Sequence, residues 1–205
     1  MTTDAQSKIR VLIAEDDDNA RALLTELLAT MGHSVVAEVS TGREAIERAR
    51  DVVPDVVLLD VHMPDGSGIE AAEQITQTVP GVAVVLFSGD QTVTLSERDV
   101  TATAAIAFLP KPVAPRVLDS TLRLAAQRAK EFAHARQDAD AARQALENRK
   151  TIERAKGILM RRTGASEQEA YRILQRTSQD RSVPMVEIAR AVLASEPAGV
   201  EKPVG

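Results

Sequence analysis

Carboxylate side chains follow two of the apolar runs in this sequence. Glu15 and Asp16 come directly after the first run, and the run 56–59 ends at Asp60. If the two runs are neighbouring parallel strands, these residues meet at one edge of the sheet. Like charges about 4 Å apart repel by about 4 kcal/mol at an effective dielectric of about 20, so a cation is needed among them. Hard oxygen ligands favour Mg²⁺ over a transition metal, whereas an acidic loop without function is the alternative.

Two more polar residues follow the fourth and fifth apolar runs. Ser88 comes directly after the fourth run, and Lys111 lies between two prolines after the fifth. Either residue alone would be an ordinary loop residue. Together with the acids they describe a site for phosphoryl transfer to a carboxylate, with Asp60 as the nucleophile. In that site Lys111 and Mg²⁺ neutralise charge on the phosphoryl oxygens, and Ser88 donates a hydrogen bond to one of them.

A parallel sheet is what would bring these residues together. Up to about residue 112, short apolar runs alternate with amphipathic segments, which is typical of a doubly wound α/β fold. We predict a flavodoxin-like, five-stranded parallel sheet with strand order 2-1-3-4-5. The segment 91–103 is rich in Thr, Val and Asp, so the fourth helix should be short or labile. The strands are predicted at 9–14, 34–37, 56–59, 83–87 and 106–109, and the other helices at 20–31, 41–50 and 69–78.

A long helix is predicted next, because residues 116–156 contain neither Gly nor Pro. These 41 residues are mostly strong helix formers and would extend about 60 Å as one helix. Apolar residues at heptad spacing favour a dimerising or domain-spacing coiled coil. The alternative is an amphipathic helix that lies on its own sheet. The heptad positions are Leu118, Leu122, Ala125, Ala129 and Phe132.

The sequence of residues 146–193 predicts a small three-helix bundle. The long helix should end at Thr163-Gly164, the sequence 166–169 has the capping-box pattern that begins a helix, and Pro184 begins another. The ends of the chain, 1–8 and 194–205, are predicted to be disordered.

Charge divides the chain into an acidic front and a basic back, although the net charge is only −5. Residues 1–142 carry 13 Lys and Arg against 22 Asp and Glu, whereas 143–193 carry 11 against 6. The basic excess favours a phosphate backbone as partner, and a solvated helix face is the alternative. With 2% aromatic residues, base stacking on aromatic side chains is not expected. The candidate phosphate contacts are Arg149, Lys150, Arg154, Lys156, Arg161 and Arg162.

Composition also excludes some classes of function. The chain has no cysteine, which excludes disulfides, thiolate zinc sites and a cysteine nucleophile. No apolar run approaches the roughly 20 residues of a membrane span, so we expect a cytoplasmic protein without a membrane partner. The sequence offers no second set of catalytic residues, so we do not expect an enzyme, apart from slow turnover of an acyl phosphate.

Residues 9–125 resemble the receiver domain of two-component response regulators, in which a sensor histidine kinase supplies the phosphate. The resemblance implies that Asp16 and Asp60 bind Mg²⁺ directly, Glu15 through water, and His62 through its backbone carbonyl. It also implies that Ser88 is the switch hydroxyl. Phe108 stands where many receivers have a switch tyrosine, so the path from phosphate to output is expected to differ.

The string Ala155-Lys-Gly-Ile-Leu-Met160, with Ala170-Tyr171, resembles the ANTAR output domain, and this likeness spans about residues 146–193. ANTAR domains are three-helix RNA-binding antiterminators that act as dimers on RNA hairpins. Residues 116–145 would then be a helical or coiled-coil linker that continues the last receiver helix. The combined prediction is a transcription antiterminator that binds RNA hairpins as a homodimer when Asp60 is phosphorylated. The alternative is a response regulator whose basic module binds a protein partner or DNA.

Overall fold

The computed structural model describes residues 8–64, 66–89 and 107–195. The chain divides into two compact units, Met1–Ala135 and Arg136–Gly205. The predicted weak helix within 91–103 lies outside the described residues, and so do the two predicted disordered ends, except for Lys8, Ala194 and Ser195. Of the predicted C-terminal end, Ala194 is described, and it is the last residue of a helix.

The first unit contains the predicted parallel sheet. All four neighbouring strand pairs are parallel, and the order is β2-β1-β3-β6-β7, which among these five strands is the predicted 2-1-3-4-5. Every residue of the two central strands β3 and β6 is buried, as expected for a sheet covered on both faces. The strands are β1 (Arg10–Ala14), β2 (Ser34–Val39), β3 (Val56–Asp60), β6 (Ala83–Ser88) and β7 (Ala107–Pro110).

A short antiparallel hairpin follows β3 and was not predicted. It consists of β4 (His62–Met63) and β5 (Gly66–Ser67), in which His62 is opposite Ser67. The hairpin accounts for part of the Pro- and Gly-rich stretch 64–68 that follows Asp60.

Helices cover both faces of the sheet. Helix α1 (Asp18–Thr30) packs on one face, and α2 (Gly42–Val52) and α3 (Gly68–Thr78) pack on the other. Each helix begins within two residues of its predicted start. Asp17 and Thr41 cap the first two helices, because their side chains accept hydrogen bonds from backbone N–H groups in the first turn.

Helix α4 (Pro115–Thr163) is the long helix expected from the sequence, but the prediction for its heptad stripe was wrong. Leu118, Leu122, Ala125 and Ala129 are buried in the core of the first unit, on the same face of the sheet as α1. Phe132, the last residue of the stripe, is 72% exposed. The stripe is therefore the core-facing side of an amphipathic helix, and it is not available as a coiled-coil seam.

The second unit is a three-helix arrangement with a small core. The C-terminal part of α4 packs against α5 (Glu167–Arg181) and α6 (Met185–Ala194) through Ala155, Leu174, Ile188 and Ala189. Gly164, at a φ of 72°, follows the end of α4. Ser166 forms the predicted capping box with Glu169 at the start of α5. Among the described residues, no helix is both long and apolar enough to cross a membrane.

Candidate functional site

Three acidic residues meet at the carboxyl edge of the sheet in the first unit. Oxygen atoms of Glu15, Asp16 and Asp60 all lie within 4.8 Å of one another. Strands β1 and β3 are hydrogen-bonded neighbours, and they end just before Glu15 and at Asp60. Glu15 and Asp60 are buried, whereas Asp16 is exposed. The structure thus brings together the three acids that the sequence placed at two strand ends.

Lys111 closes the cluster from the other side. Its Nζ donates to Glu15 Oε2 at 2.6 Å and to Asp60 Oδ2 at 2.7 Å. The pairing of β6 with β7 sets this position, since the Lys111 backbone N–H donates to the carbonyl oxygen of Ser88 at 2.7 Å. The ammonium also lies 4.3 Å from the ring centroid of Phe87, a cation–π contact that the sequence did not reveal.

The electrostatics of the cluster follow from this arrangement. Burial raises the pKa of Glu15, and the nearby Asp60 carboxylate adds to the increase, while the hydrogen bond from Lys111 opposes it. Burial acts to lower the pKa of Lys111, but its hydrogen bonds to Asp60 and Glu15 outweigh that effect and raise it. Lys111 therefore remains an ammonium group and can pair with phosphoryl oxygens.

The donor set fits a magnesium ion. The three clustered side chains offer only carboxylate oxygens, which are hard ligands, and one of the three is exposed to solvent. Lys111 supplies one positive charge against three carboxylates, so the cluster has room for a second cation. Glu15, Asp16 and Asp60 would hold this ion. The expected contribution of the His62 backbone carbonyl remains a prediction.

Of the two predicted switch residues, Ser88 lies close to this cluster. Ser88 is fully buried at the end of β6, and its Oγ is 3.4 Å from Nδ1 of His62. The His62 backbone N–H donates to Asp60 Oδ1 at 3.2 Å, and the His62 side chain is exposed. Phe108 is half-buried and packs with the core residues on the α2 and α3 face. The roles of Ser88 and Phe108 in switching remain predictions.

Gly68 is a site residue that the sequence did not identify. Its N–H donates to the carbonyl oxygen of Val61 at 2.9 Å, which brings the start of α3 against the backbone at Asp60. A Cβ atom at this position would lie 1.9 Å from the carbonyl oxygen of Asp60. Any side chain at this position would therefore displace either the end of β3 at Asp60 or the start of α3. The only signal in the sequence was its place in the Pro- and Gly-rich stretch that follows Asp60.

Five of the six candidate phosphate contacts in the second unit are exposed: Arg149, Lys150, Arg154, Arg161 and Arg162. Lys156 differs from them, since only 8% of its side chain is exposed. Its Nζ donates to Glu167 at 2.7 Å and to Glu153 at 2.9 and 3.0 Å, and these bonds raise the pKa of Lys156. Lys156 thus joins α4 to the first turn of α5, and its predicted role as a phosphate contact stays a prediction.

Family models match both parts of the chain. The response regulator receiver domain matches residues 11–123, and the ANTAR domain matches residues 140–193. The two matched ranges together include every candidate site residue described above.

Individual relatives agree with these matches. The transcriptional regulatory protein PdtaR of Mycobacterium tuberculosis is 37% identical over 198 residues, which are 94% of each chain. The chemotaxis protein CheY of Thermotoga maritima is 32% identical over 114 residues, 54% of this chain and 92% of that protein. Among solved structures, the receiver domain of a modulated diguanylate cyclase from Desulfovibrio desulfuricans aligns with a TM-score of 0.56 at 26% identity, covering 62% of this chain and 99% of that one. The response regulator domain of Thermotoga maritima CheB aligns with a TM-score of 0.52 at 26% identity, and the alignment covers 59% of this chain and 98% of that domain.

Proposed function

Because this chain belongs to the response regulators that carry a receiver domain followed by an ANTAR domain, we propose that it is an antiterminator controlled by phosphorylation of Asp60. A sensor histidine kinase supplies the phosphoryl group, and the second unit binds hairpins in nascent RNA. The bound hairpin prevents the terminator from forming. The observation that carries the proposal is the contact of Lys111 with both Glu15 and Asp60 at one strand end, within a chain that continues into an ANTAR domain.

The phosphoryl acceptor is Asp60, because this buried carboxylate faces both a lysine and the predicted metal ligands. Its carboxylate oxygen attacks phosphorus, and the bond from phosphorus to the donor breaks as the acyl phosphate forms. Lys111 pairs with the charge that develops on the phosphoryl oxygens, and Ser88 donates a hydrogen bond to one of them. A magnesium ion held by Glu15, Asp16 and Asp60 would supply the remaining charge neutralisation.

Phosphorylation from acetyl phosphate in the presence of Mg²⁺ tests this assignment. Intact-protein mass spectrometry should detect one phosphoryl group on the wild type and none on Asp60→Asn. Glu70→Gln is a matched control, since it removes an exposed carboxylate beside the same hairpin and should be phosphorylated normally. Phosphorylation of the Asp60→Asn variant to the wild-type level would show that another residue accepts the group.

The proposed RNA surface is the set of exposed basic residues on the C-terminal part of α4. Arg149, Arg154 and Arg161 are suitable for testing it, and Lys156 is left out because two carboxylates already hold its ammonium group. Neutralising the three arginines to glutamine should weaken binding of a hairpin RNA. It should also make the slope of log binding constant against log salt concentration shallower, by about 0.7 to 0.9 for each phosphate that the variant no longer neutralises.

Filter binding distinguishes this function from the alternatives. The full chain should retain hairpin RNA more strongly than duplex DNA of equal length, and the triple variant should lose most of this retention. Equal retention of DNA would favour a DNA-binding regulator. Absence of binding to either nucleic acid would favour a regulator that docks a protein partner.

Homodimer formation on phosphorylation is part of the proposal. The receiver core occupies Leu118, Leu122, Ala125 and Ala129 of the heptad stripe, so a dimer contact must use apolar residues of α4 that remain exposed. Val117, Leu124 and Phe132 are exposed apolar side chains on the same helix and are the candidates for that contact. Light scattering with beryllofluoride as a phosphate mimic should show the dimer mass. If the mimic changed neither mass nor RNA affinity, the coupling of phosphorylation to dimerisation would be wrong.

A further inference from the structure

A groove of about 420 Å³ lies beside the first turns of α5 in the second unit. Lys156 of α4 lines it together with residues of α5, four of which recur at helical spacing and so share one face of that helix. None of these α5 residues was among the basic residues considered as phosphate contacts. The lining residues are Lys156, Glu167, Gln168, Tyr171, Arg172 and Gln175.

The charge on the Lys156 side of the groove does not suit a phosphate group. Lys156 is the cation on one side, but its Nζ donates to Glu167 at 2.7 Å and to Glu153 at 2.9 Å. The hydrogen bond from Lys156 lowers the pKa of Glu167, so that carboxylate stays ionised at the edge of the groove. A phosphate oxygen placed there would be repelled by a fixed negative charge. An uncharged group with hydrogen-bond donors would meet no such penalty.

The remaining lining residues are of the types that bind nucleobases. Tyr171 is 43% exposed and is the single tyrosine of the chain, so its ring is available for stacking. Gln168 and Gln175 each carry an amide that both donates and accepts hydrogen bonds. Arg172 adds a planar guanidinium group that can pair with a base edge. The low aromatic content argued against stacking in general, yet the one tyrosine lies at this groove.

We propose that the groove receives one unpaired nucleobase of the RNA hairpin, stacked on Tyr171. The proposal rests on the RNA-binding function proposed above. Gln168 and Gln175 hydrogen-bond the edge of the base, and the exposed arginines of α4 contact the phosphates outside the groove. The division of labour follows from charge, since the exposed arginines of α4 attract the backbone, whereas Lys156 at the groove is already paired with two carboxylates.

The experiment uses the full chain and a pool of hairpin RNAs that share one stem and carry a randomised loop. The tightest-binding hairpin is then measured against four proteins. Tyr171→Ala should weaken its binding about tenfold or more, whereas Tyr171→Phe keeps the ring and should bind within about twofold of wild type. Ile173→Ala is the matched control, because Ile173 is 41% exposed on the same helix but does not line the groove.

Two further readouts identify the interaction as base stacking. The Tyr171→Ala variant should keep the wild-type salt dependence, since it retains every arginine that faces phosphate, unlike the triple arginine variant. When 2-aminopurine replaces each loop base in turn, one position should lose fluorescence on binding wild type and Tyr171→Phe but not Tyr171→Ala.

The outcomes separate this inference from the proposed function. If no hairpin from the pool bound the wild type, the RNA-binding function itself would be wrong. If hairpins bound, but Tyr171→Ala bound as tightly and no loop position was quenched, RNA binding would stand and the base site would be overturned. The groove would then be free to serve another partner, such as a protein. Similar urea unfolding midpoints for wild type and Tyr171→Ala would show that any weakening of binding is not caused by unfolding.

Discussion

Replacing Gly68 with alanine should damage both the stability and the phosphorylation of the receiver unit. The added Cβ would be 1.9 Å from the carbonyl oxygen of Asp60 and 2.9 Å from its carbonyl carbon. Carbon and oxygen atoms normally approach no closer than about 3.3 Å, so roughly 1.4 Å of overlap must be relieved by moving backbone. The neighbouring atoms are main chain, which cannot rotate away as a flexible side chain would.

The size of the effect follows from what moves. Overpacking of this kind costs about 1 to 3 kcal/mol in the free energy of unfolding. The backbone that yields carries the Asp60 carboxylate, and a displacement of about 1 Å at a reacting group can reduce a rate about 100-fold. We therefore expect phosphorylation from acetyl phosphate to slow by one to two orders of magnitude while the protein remains folded.

Urea unfolding and the rate of phosphoryl incorporation measure the two effects separately. Gly157→Ala is the matched glycine control, because a Cβ there would meet only Arg161 Nη1 at 3.6 Å. Gly157 lies inside α4, so its replacement should stabilise the second unit by up to about 1 kcal/mol through helix propensity. A Gly68→Ala protein that unfolds and accepts phosphate as the wild type does would refute the close approach of α3 to Asp60.

Three other predictions concern packing and charge. Asp55→Ala should lower the free energy of unfolding by about 1 to 3 kcal/mol, because the largely buried Asp55 carboxylate accepts hydrogen bonds from the Arg10 N–H at 2.9 Å and from Lys130 Nζ at 2.8 Å. Lys130→Ala removes an exposed lysine and should lower it by less than about 1 kcal/mol. Urea unfolding midpoints test this order. Ser166→Ala removes the cap of α5 and should cost about 1 kcal/mol in the second unit, measured by thermal unfolding, with Ser120→Ala on α4 as the control. Hydrogen bonds from Arg123 and His33 lower the pKa of Asp119, so the ionised carboxylate stabilises the fold above about pH 4, and this contribution is lost as the pH falls through the lowered pKa. The difference in unfolding free energy between wild type and Asp119→Asn should therefore shrink from about pH 6 to about pH 3. A constant difference would contradict this prediction.

Most of the sheet could be predicted because its strands are buried runs that end at polar residues. β3 and β6 contain no polar residue before their final Asp60 and Ser88, so both their extent and their functional ends are visible in the sequence. The acid cluster followed from strand order alone, because neighbouring parallel strands bring their carboxyl ends together. Side-chain pairing across that edge, such as Lys111 over Phe87, needed coordinates.

The heptad stripe of α4 shows where periodicity is insufficient. A coiled-coil seam repeats every 3.5 residues and a core-facing helix every 3.6, and the two differ by only about 20° per heptad. A stripe of two heptads cannot distinguish them, so Leu118 and Leu122 fit both interpretations. The structure decides between them: α1 buries only part of the apolar face of the sheet, and Leu118 and Leu122 of α4 pack against the same core.

Lys156 and Lys111 illustrate why a charge count does not locate a binding surface. Both lysines are held by two carboxylates, which come from distant parts of the sequence for Lys111 and from nearby residues, Glu153 and Glu167, for Lys156. Around Lys111 the two acids are buried, so salt screens their attraction little and an arriving phosphoryl group must compete with them directly. Around Lys156 the two acids are exposed, so the ion pairs are weak contributors to stability, yet they still cancel the charge that RNA phosphates would meet. The net charge of the second unit therefore overstates the positive charge that is available to a phosphate at the groove, because Lys156 is counted although two carboxylates already pair with it.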